Sequence, residues 1–545
     1  MFTVTRSESN PLLSPVKEHP WETAAAFNGC PVVVGKKTVM VYRAMSEPDL
    51  LKESHLPMSV IARASSSDGL RYEDRRILLS PGADFDSYGC EDPHVTKLDG
   101  IYYIFYTALG GYPFSADNIK VAVALSKDLF SVDQRHLVTP FNAKAMALFP
   151  EKINGRMAAL LTVNTDRKPS DICYAEFDSP EEMWSPEYWD KWQANLDSHK
   201  LNIRRQDDDH LELGAPPVKT DKGWLVLYCH MQRYGRSDQV FGFEILLLDL
   251  KNPRHIIGRT KGPFMVPEAY YEEVGHVSHT IFPSGALIRG DKLEIYYGAT
   301  DTYCALATIP LENLLGSLTG DEKKIVTRFP GNPIMIPRPD VFWESEGTMN
   351  PAAIDIGNKT CFLYRAVAKG NISTFGYAES SDGFAIDFRS EKPAYFPKAD
   401  FETRKDGGGD SPNRPGGNYG CEDPRLVRIG EKVYMTYAGF DGSTPRVAVT
   451  SIGTQDFLDR KWSAWSKPEA LTPPGVADKD AVILPETVNG NYMIFHRVGE
   501  SVCADFVKSL DFSKERITQC IEIISPRRGM WDGGKVGIST PPIKT

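Results

Sequence analysis

Tyr88-Gly89-Cys90-Glu91-Asp92-Pro93 returns later in the chain, letter for letter, as Tyr419-Gly420-Cys421-Glu422-Asp423-Pro424. The sequence around the two copies repeats in the same order. Ser9-Asn10-Pro11-Leu12 corresponds to Gly331-Asn332-Pro333-Ile334. Trp21, Asn28 and Tyr42-Arg43-Ala44 correspond to Trp343, Asn350 and Tyr364-Arg365-Ala366, each pair 322 positions apart. Beyond the hexapeptide, Lys144 to Glu151 (KAMALFPE) matches Lys479 to Glu486 (KDAVILPE). Gly214-Ala215-Pro216-Pro217-Val218-Lys219-Thr220 then matches Ser539-Thr540-Pro541-Pro542-Ile543-Lys544-Thr545. The spacing widens to 331 at the hexapeptide, largely through a Gly-rich insertion between Lys405 and Gly417. Four shared blocks in one order make this a duplicated domain.

Between the blocks the local pattern is that of strands. IYYIFYTAL after Gly100, WLVLYCHM after Gly223 and LEIYYGATD after Lys292 are aromatic and β-branched runs bounded by turn residues. Helical periodicity is confined to short pieces, Ser179 to Leu196 and Leu311 to Leu318. Antiparallel four-strand units recurring every 40–60 residues or so are the signature of propeller blades. The expected fold is therefore all-β: a complete five-bladed β-propeller over residues 1–320, then an incomplete second propeller over residues 321–545 with three blades and the start of a fourth. An open ring leaves strand edges unpaired. The region after roughly residue 322 should then be protease-sensitive, or be shielded by assembly into a homo-oligomer.

Composition excludes several classes of function. The 545 residues include 26 Phe, 23 Tyr and 9 Trp, more aromatic surface than a disordered chain carries. A net charge of −10 without a long Lys/Arg run argues against a nucleic-acid binder. No stretch approaches the roughly 18–20 apolar residues of a membrane helix. The N-terminus shows no basic segment followed by an apolar one, so no signal peptide is expected. Nine scattered cysteines without a CxxC pair fit neither a disulfide framework nor a zinc site, and point to reduced thiols in a cytoplasm.

Glu-Asp-Pro is the sharpest chemical feature. Two adjacent carboxylates repel each other, and one with a raised pKa can serve as a general acid. On the tripeptide alone, an Asp capping a β-turn beside Pro is the simpler reading. The surrounding blocks change that. Asn350 and Arg365, Glu422-Asp423-Pro424-Arg425, Lys479-Asp480-Ala481, His496-Arg497 after the apolar run Tyr492 to Phe495, Lys535-Val536-Gly537 and Pro541-Pro542-Ile543-Lys544-Thr545, read in order, resemble glycoside hydrolase family 130. That family contains β-mannoside phosphorylases and related mannosidases. The first copy adds Tyr296 to Asp301 (YYGATD), which looks like the family's last blade.

The resemblance implies a five-bladed propeller in which the Asp of Glu-Asp-Pro, here Asp423 and in the first copy Asp92, is the proton donor. Asn350 and Arg365, with Asn28, Arg43 and Asp301 in the first copy, are implied to hold the sugar. Lys479, His496, Arg497 and Lys544, with Lys219 in the first copy, are implied to hold phosphate. In this scheme phosphate attacks the anomeric carbon with inversion, as the only co-substrate, with no organic cofactor and no metal. The chemistry is coherent. An inverting hydrolase needs a second carboxylate to activate water, whereas a phosphorylase brings its own nucleophile and needs cations to hold it.

The first copy departs from the pattern. His94 stands where Arg425 does, Ala145 stands for Asp480, and Leu161-Thr162 stand for His496-Arg497. It retains Asn28, Arg43, Asp92, Lys144, Lys219 and Asp301, so a sugar pocket is expected to survive with a depleted phosphate cluster. Core packing is the expected use of Trp21, Trp343 and Trp531. A solvated loop, not a metal site, is the expected setting of Glu272, Glu273, His276 and His279. The expected partner is a mannose-containing oligosaccharide. The expected activity is reversible phosphorolysis of β-mannosides to mannose 1-phosphate. The competing readings are a β-mannosidase and a carbohydrate-binding scaffold without catalysis.

Overall fold

The computed structural model describes residues 2–48, 56–321, 327–404 and 418–544. The Gly-rich insertion and Thr545 lie outside the described residues. The chain divides into two compact units, Met1–Ile325 with Arg528–Trp531, and Val326–Arg527 with Asp532–Thr545.

The described residues of the first unit form five antiparallel sheets. Ala25–Val34, Lys37–Met45, Ser59–Ser66 and Glu73–Leu79 make the first, and Gly89–Leu98, Ile101–Leu109, Ile119–Ser126 and Gln134–Leu137 the second. Ala143–Leu148, Met157–Val163 and Asp171–Phe177 make a three-stranded third. The fourth contains His210–Leu213, Trp224–Gln232, Val240–Leu248 and Ile256–Arg259. Ile281–Arg289, Lys292–Ala299 and Tyr303–Pro310 form the fifth, which the N-terminal pair Thr5–Arg6 completes by pairing Thr5 with Thr308.

Burial explains why the strand-forming runs lack polar alternation. In Ile101–Leu109, Tyr102, Ile104, Tyr106 and Ala108 pack against the first sheet. Tyr103 and Phe105 point the other way, into a cluster with Met146, Leu148 and Met157 of the third. A strand sandwiched between two sheets is apolar on both faces. Further clusters join the third sheet to the fourth and the fourth to the fifth. Tyr42, Val60, Tyr296 and Leu306 share one cluster, so the fifth sheet also packs on the first.

The second unit repeats three of these sheets. Gly347–Ile356, Lys359–Ala368 and Ile372–Ser380 form one group, and Tyr419–Ile429, Lys432–Phe440 and Pro445–Gly453 another. A short parallel pairing of Ile372 with Tyr419 and Ser373 with Gly420 joins them. Asp478–Val488, Asn491–Val498, Ser501–Val507 and Ile521–Ile524 form a separate four-stranded sheet. Two clusters fill the spaces between these three groups. The outer flank differs from that of the first unit: Ala25–Val34 buries its first seven residues, whereas Asn350, Pro351 and Ala353 on the corresponding strand are exposed.

Several expectations are corrected. Ser179 to Leu196 is not one helix. Pro180 and Pro186 each open a segment, a 3-10 turn Pro180–Trp184 and a helix Pro186–Gln193, because a proline has no N–H to continue a preceding helix. Trp531 is 87% exposed instead of packed. Glu272 is fully buried instead of solvated, accepting hydrogen bonds from Arg6 Nε (2.8 Å) and Tyr297 Oη (2.7 Å). Cys503 and Cys520 form a disulfide, while the other seven cysteines are free and buried.

Candidate active site

The repeated motifs sit on β-bulges. In the second unit one extra residue interrupts the pairing between Met349 and Ala352, between Glu422 and Arg425, and between Lys479 and Val482. The first unit has its bulges at the equivalent places, between Phe27 and Cys30, Glu91 and His94, and Lys144 and Ala147. In every case the residue in the middle is left-handed: Asn350 (φ 47°), Asp423 (55°) and Asp480 (58°), and Asn28 (48°), Asp92 (49°) and Ala145 (47°). Asn and Asp tolerate this conformation best, and a bulge re-aims the side chain it carries. That local requirement accounts for the Asn and Asp at these positions, while Ala145 adopts the same conformation without a polar side chain.

Around Asp423 the second unit builds a connected polar cluster. Asn350 Nδ2 donates to Asp423 Oδ1 at 2.7 Å, and Arg365 Nη1 approaches the same oxygen at 3.4 Å. Arg365 also donates to Glu422 Oε1 (2.9 Å) and Ser373 Oγ (3.0 Å). Lys479 Nζ takes the other Glu422 oxygen at 3.0 Å. The two carboxylates of Glu-Asp-Pro are thereby both held, and the repulsion between them is offset by two cations. Arg425 bonds the backbone oxygens of Asp423, Ile538 and Ser539 and reaches Asp480 Oδ1 at 3.0 Å. Arg497 Nε takes Asp480 Oδ2 at 2.7 Å. A cavity of about 460 Å³ is lined by Asn350, Asp423, Arg425, Asp480, Gly537 and Ser539, among others.

The remaining predicted phosphate ligands lie elsewhere. His496 is buried, with Nδ1 2.9 Å from Asp478 Oδ2; neither it nor Lys479 and Arg497, which pair with Glu422 and Asp480, line the cavity. Lys544 is 80% exposed and paired with Glu486, and Lys219 is paired with the equivalent Glu151, so both make the same surface ion pair. Arg425 and Asp480 carry weight that reading the sequence did not assign them, although both stand in shared blocks. Ser373 gave no signal, and Gly537 stood only within the Lys535-Val536-Gly537 block without a role of its own.

The first unit reproduces the Asn, Arg and Glu-Asp part of this cluster. Asn28 Nδ2 donates to Asp92 Oδ1 at 2.7 Å, and Arg43 bonds Glu91, Ser59 (3.1 Å) and Asp92 (3.5 Å). Burial, with Asp92 adjacent, pushes the Glu91 carboxyl up despite Arg43. The other end differs. His94 lies 3.1 Å from the Asp92 backbone oxygen and also bonds the Gly214 backbone, and burial lowers its pKa, so it is a poorer cation than Arg425. Lys144 lies 3.6 Å from Asp166. Burial raises Asp301 to about 6, reinforced by Asp92 and Glu91 and opposed by Arg43.

A family model described as beta-1,4-mannooligosaccharide phosphorylase matches residues 5–319 and again residues 328–545. The chain belongs to glycoside hydrolase family 130. Its relatives in the family include a beta-1,2-mannobiose phosphorylase of Thermoanaerobacter sp. (strain X514), 32% identical over 321 residues, which are 58% of this chain and 99% of the relative. A 1,2-beta-oligomannan phosphorylase of the same organism is 28% identical, over 58% of this chain and 99% of its own length. Among solved family 130 structures, the beta-1,2-mannobiose phosphorylase of Listeria innocua with bound beta-1,2-mannobiose matches 58% of this chain and 99% of its own, at 23% identity and a TM-score of 0.49.

Proposed function

We propose that this protein cleaves β-linked mannosides by inverting phosphorolysis, with the working constellation in the second unit. The architecture we propose is a complete five-bladed propeller over residues 1–320 and a partial second one over residues 321–545. The cyclic packing of five sheets in the first unit and the three matching sheets in the second support it. The observation that carries the functional reading is Asp423, held on its bulge by Asn350 and Arg365 at the wall of a cavity that Arg425 and Asp480 also line. In this reading Asp423 protonates the departing glycosidic oxygen while phosphate attacks the anomeric carbon from the opposite face. Asn350 and Arg365 orient the acid and the sugar.

Charge favours the second unit for this role. Arg365, Arg425, Lys479 and Arg497 stand against three carboxylates, Glu422, Asp423 and Asp480. In the first unit only two cations, Arg43 and Lys144, pair with three carboxylates, Glu91, Asp92 and Asp166, among the described residues. A phosphate dianion is accepted by the first balance and repelled by the second. The relatives named as mannobiose and oligomannan phosphorylases support the substrate class.

The test is to incubate the full chain with β-mannobiosides, with and without phosphate, and to measure mannose 1-phosphate against free mannose. Mannose 1-phosphate should form only with phosphate and should fall about 10²–10⁴-fold in Asp423→Asn, as expected for loss of a general acid. Asp92→Asn should leave that product unchanged. Loss of mannose 1-phosphate in Asp92→Asn alone would place the working site in the first unit and overturn the assignment.

A further inference from the structure

We infer that the first unit carries a non-catalytic site that binds an oligosaccharide, in the cleft between the helix Pro186–Gln193 and the hairpin turn holding Arg254. The choice of a mannoside as its ligand rests on the β-mannoside reading above; the cleft and its chemistry do not.

The cleft exists because the third sheet stops one strand short. Its counterpart in the second unit ends on Ile521–Ile524, paired with Ser501–Val507. In the first unit Asp171–Phe177 is the last strand of the sheet, and the chain turns through Pro180–Trp184 into the helix. A bare edge strand offers its backbone groups to other chains. Here the helix covers them with side chains: Trp192 Nε1 donates to Tyr174 O (3.2 Å) and Tyr188 Oη to Glu176 O (2.8 Å). Side chains four apart on a helix are separated by about 6 Å, close to the spacing of alternate strand residues, so the two bonds form together. Strand, helix and the Arg254 turn then line one cavity of about 570 Å³, larger than the one at Asp423. That volume lies within the range of small-ligand sites, roughly 300–1,000 Å³.

The charges on its wall cancel. Arg156, Lys191 and Arg254 stand against Glu176, Glu182 and Glu187. His199 adds nothing to the cations, because burial, with Arg254 beside it, lowers its pKa. An ionic ligand would meet as many like charges as opposite ones, so the cavity favours a neutral ligand. Part of the polar wall is already engaged. Glu176 accepts from Arg156 Nη1 (2.7 Å) and Tyr174 Oη (2.8 Å), and Glu182 Oε2 accepts from the Asp178 N–H (2.7 Å). The rest is open to a ligand. Lys191 Nζ and Asn195 Oδ1 bond nothing among the described residues. The Arg254 guanidinium meets only His199 Nδ1 (3.3 Å) and the face of Tyr174 (5.4 Å to the ring centre). Glu187 uses one oxygen, on Ser185 Oγ at 3.2 Å.

A neutral ligand that satisfies this wall must both donate and accept at several adjacent points. Hydroxyl groups do so, each giving one hydrogen bond and taking others. Ammonium and guanidinium donors beside carboxylate and amide acceptors match a row of hydroxyls. Tyr188 and Trp192 line the same cavity, and with the stems of Lys191 and Arg254 they supply apolar surface for the C–H faces of sugar rings. A chain of sugars meets both demands, and the mannoside chain that the second unit is proposed to cleave is such a ligand. Bound here, a longer mannoside stays on the protein between turnovers, which raises its local concentration. The second unit has Ile521–Ile524 in place of the helix, so this site belongs to the first copy alone.

The experiment uses the full chain carrying Asp423→Asn, so that the ligand is not consumed, and follows hydrogen exchange with β-1,2- and β-1,4-linked mannotetraose. Exchange across residues 186–199 should slow with at least one of them. Lys191→Ala combined with Arg254→Ala alters two exposed side chains and should weaken the affinity read at these amides about 10-fold or more. In the chain with Asp423 intact, the same pair of substitutions should leave phosphorolysis of mannobiose unchanged. Slowing that survives both substitutions, or exchange across residues 186–199 that neither tetraose alters, overturns the site. Slowing by inorganic phosphate alone would mark an anion site and overturns it as well. If mannobiose yields mannose 1-phosphate but residues 186–199 stay unprotected, this site falls and the proposed phosphorolysis stands. If a mannotetraose protects residues 186–199 but no mannobioside is cleaved with phosphate, the phosphorolysis falls and the site stands.

Discussion

Replacing Gly537 by alanine tests how firmly Asp480 is held at the cavity wall. The added methyl would stand 2.7 Å from Asp480 Oδ2, about 1 Å inside an ordinary contact, and 3.5 Å from Arg497 Nε. Asp480 has no easy retreat. One of its oxygens accepts from Arg425 Nη2 at 3.0 Å and the other from Arg497 Nε at 2.7 Å. Overpacking of this kind costs roughly 1–3 kcal/mol. About 2 kcal/mol in a unit of some 200 residues lowers Tm by about 4–8 °C. Removing the obstacle should remove the cost. In an Asp480→Ala background, whose own penalty is measured separately, Gly537→Ala should cost under about 0.5 kcal/mol, giving a coupling of 1–2 kcal/mol between the two positions. Calorimetry of the four forms of the full chain, with hydrogen exchange of Asp478–Val488 to localise the transition, closes the cycle. Equal penalties in both backgrounds would show that Asp480 does not restrict position 537.

Ala145 keeps the left-handed bulge of its motif (φ 47°) without the polar side chain that eases it. Relief of roughly 1–2 kcal/mol by Ala145→Gly, less about 0.5–1 kcal/mol of added chain entropy, should stabilise the first unit by about 0.5–1 kcal/mol in denaturant titration. Burial alone would raise the Glu244 carboxyl, but hydrogen bonds from His230 and Arg205 outweigh it and hold it at about 2. Its folded value lies below the unfolded 4.5, so it contributes about 3 kcal/mol above pH 4.5, lost as pH falls toward 2. Glu244→Gln should flatten acid unfolding over that window, and an unchanged profile would refute the assignment. Cys520→Ser opens a loop closed by a disulfide between residues 17 apart and should cost about 3 kcal/mol under oxidising conditions and nothing with reductant present.

What the sequence determined by itself is what repetition and periodicity can express. Runs such as IYYIFYTAL become strands because both of their faces are covered, and an apolar run without alternation records that directly. The duplication marked Asn28, Arg43 and Asp92, with Asn350, Arg365 and Asp423, as one constellation used twice. The bulges explain why the Asn and Asp residues survive in both copies: each sits where the backbone is left-handed, a conformation that Asn and Asp accept. Tertiary structure alone sent Lys544 and Lys219 to surface pairs, buried Glu272 under Arg6 and Tyr297, and joined Cys503 to Cys520. The reason is common to all of these. Charge and residue type can be read along the chain, but which cation faces a cavity and which faces a neighbouring carboxylate is set by contacts between strands of different hairpins.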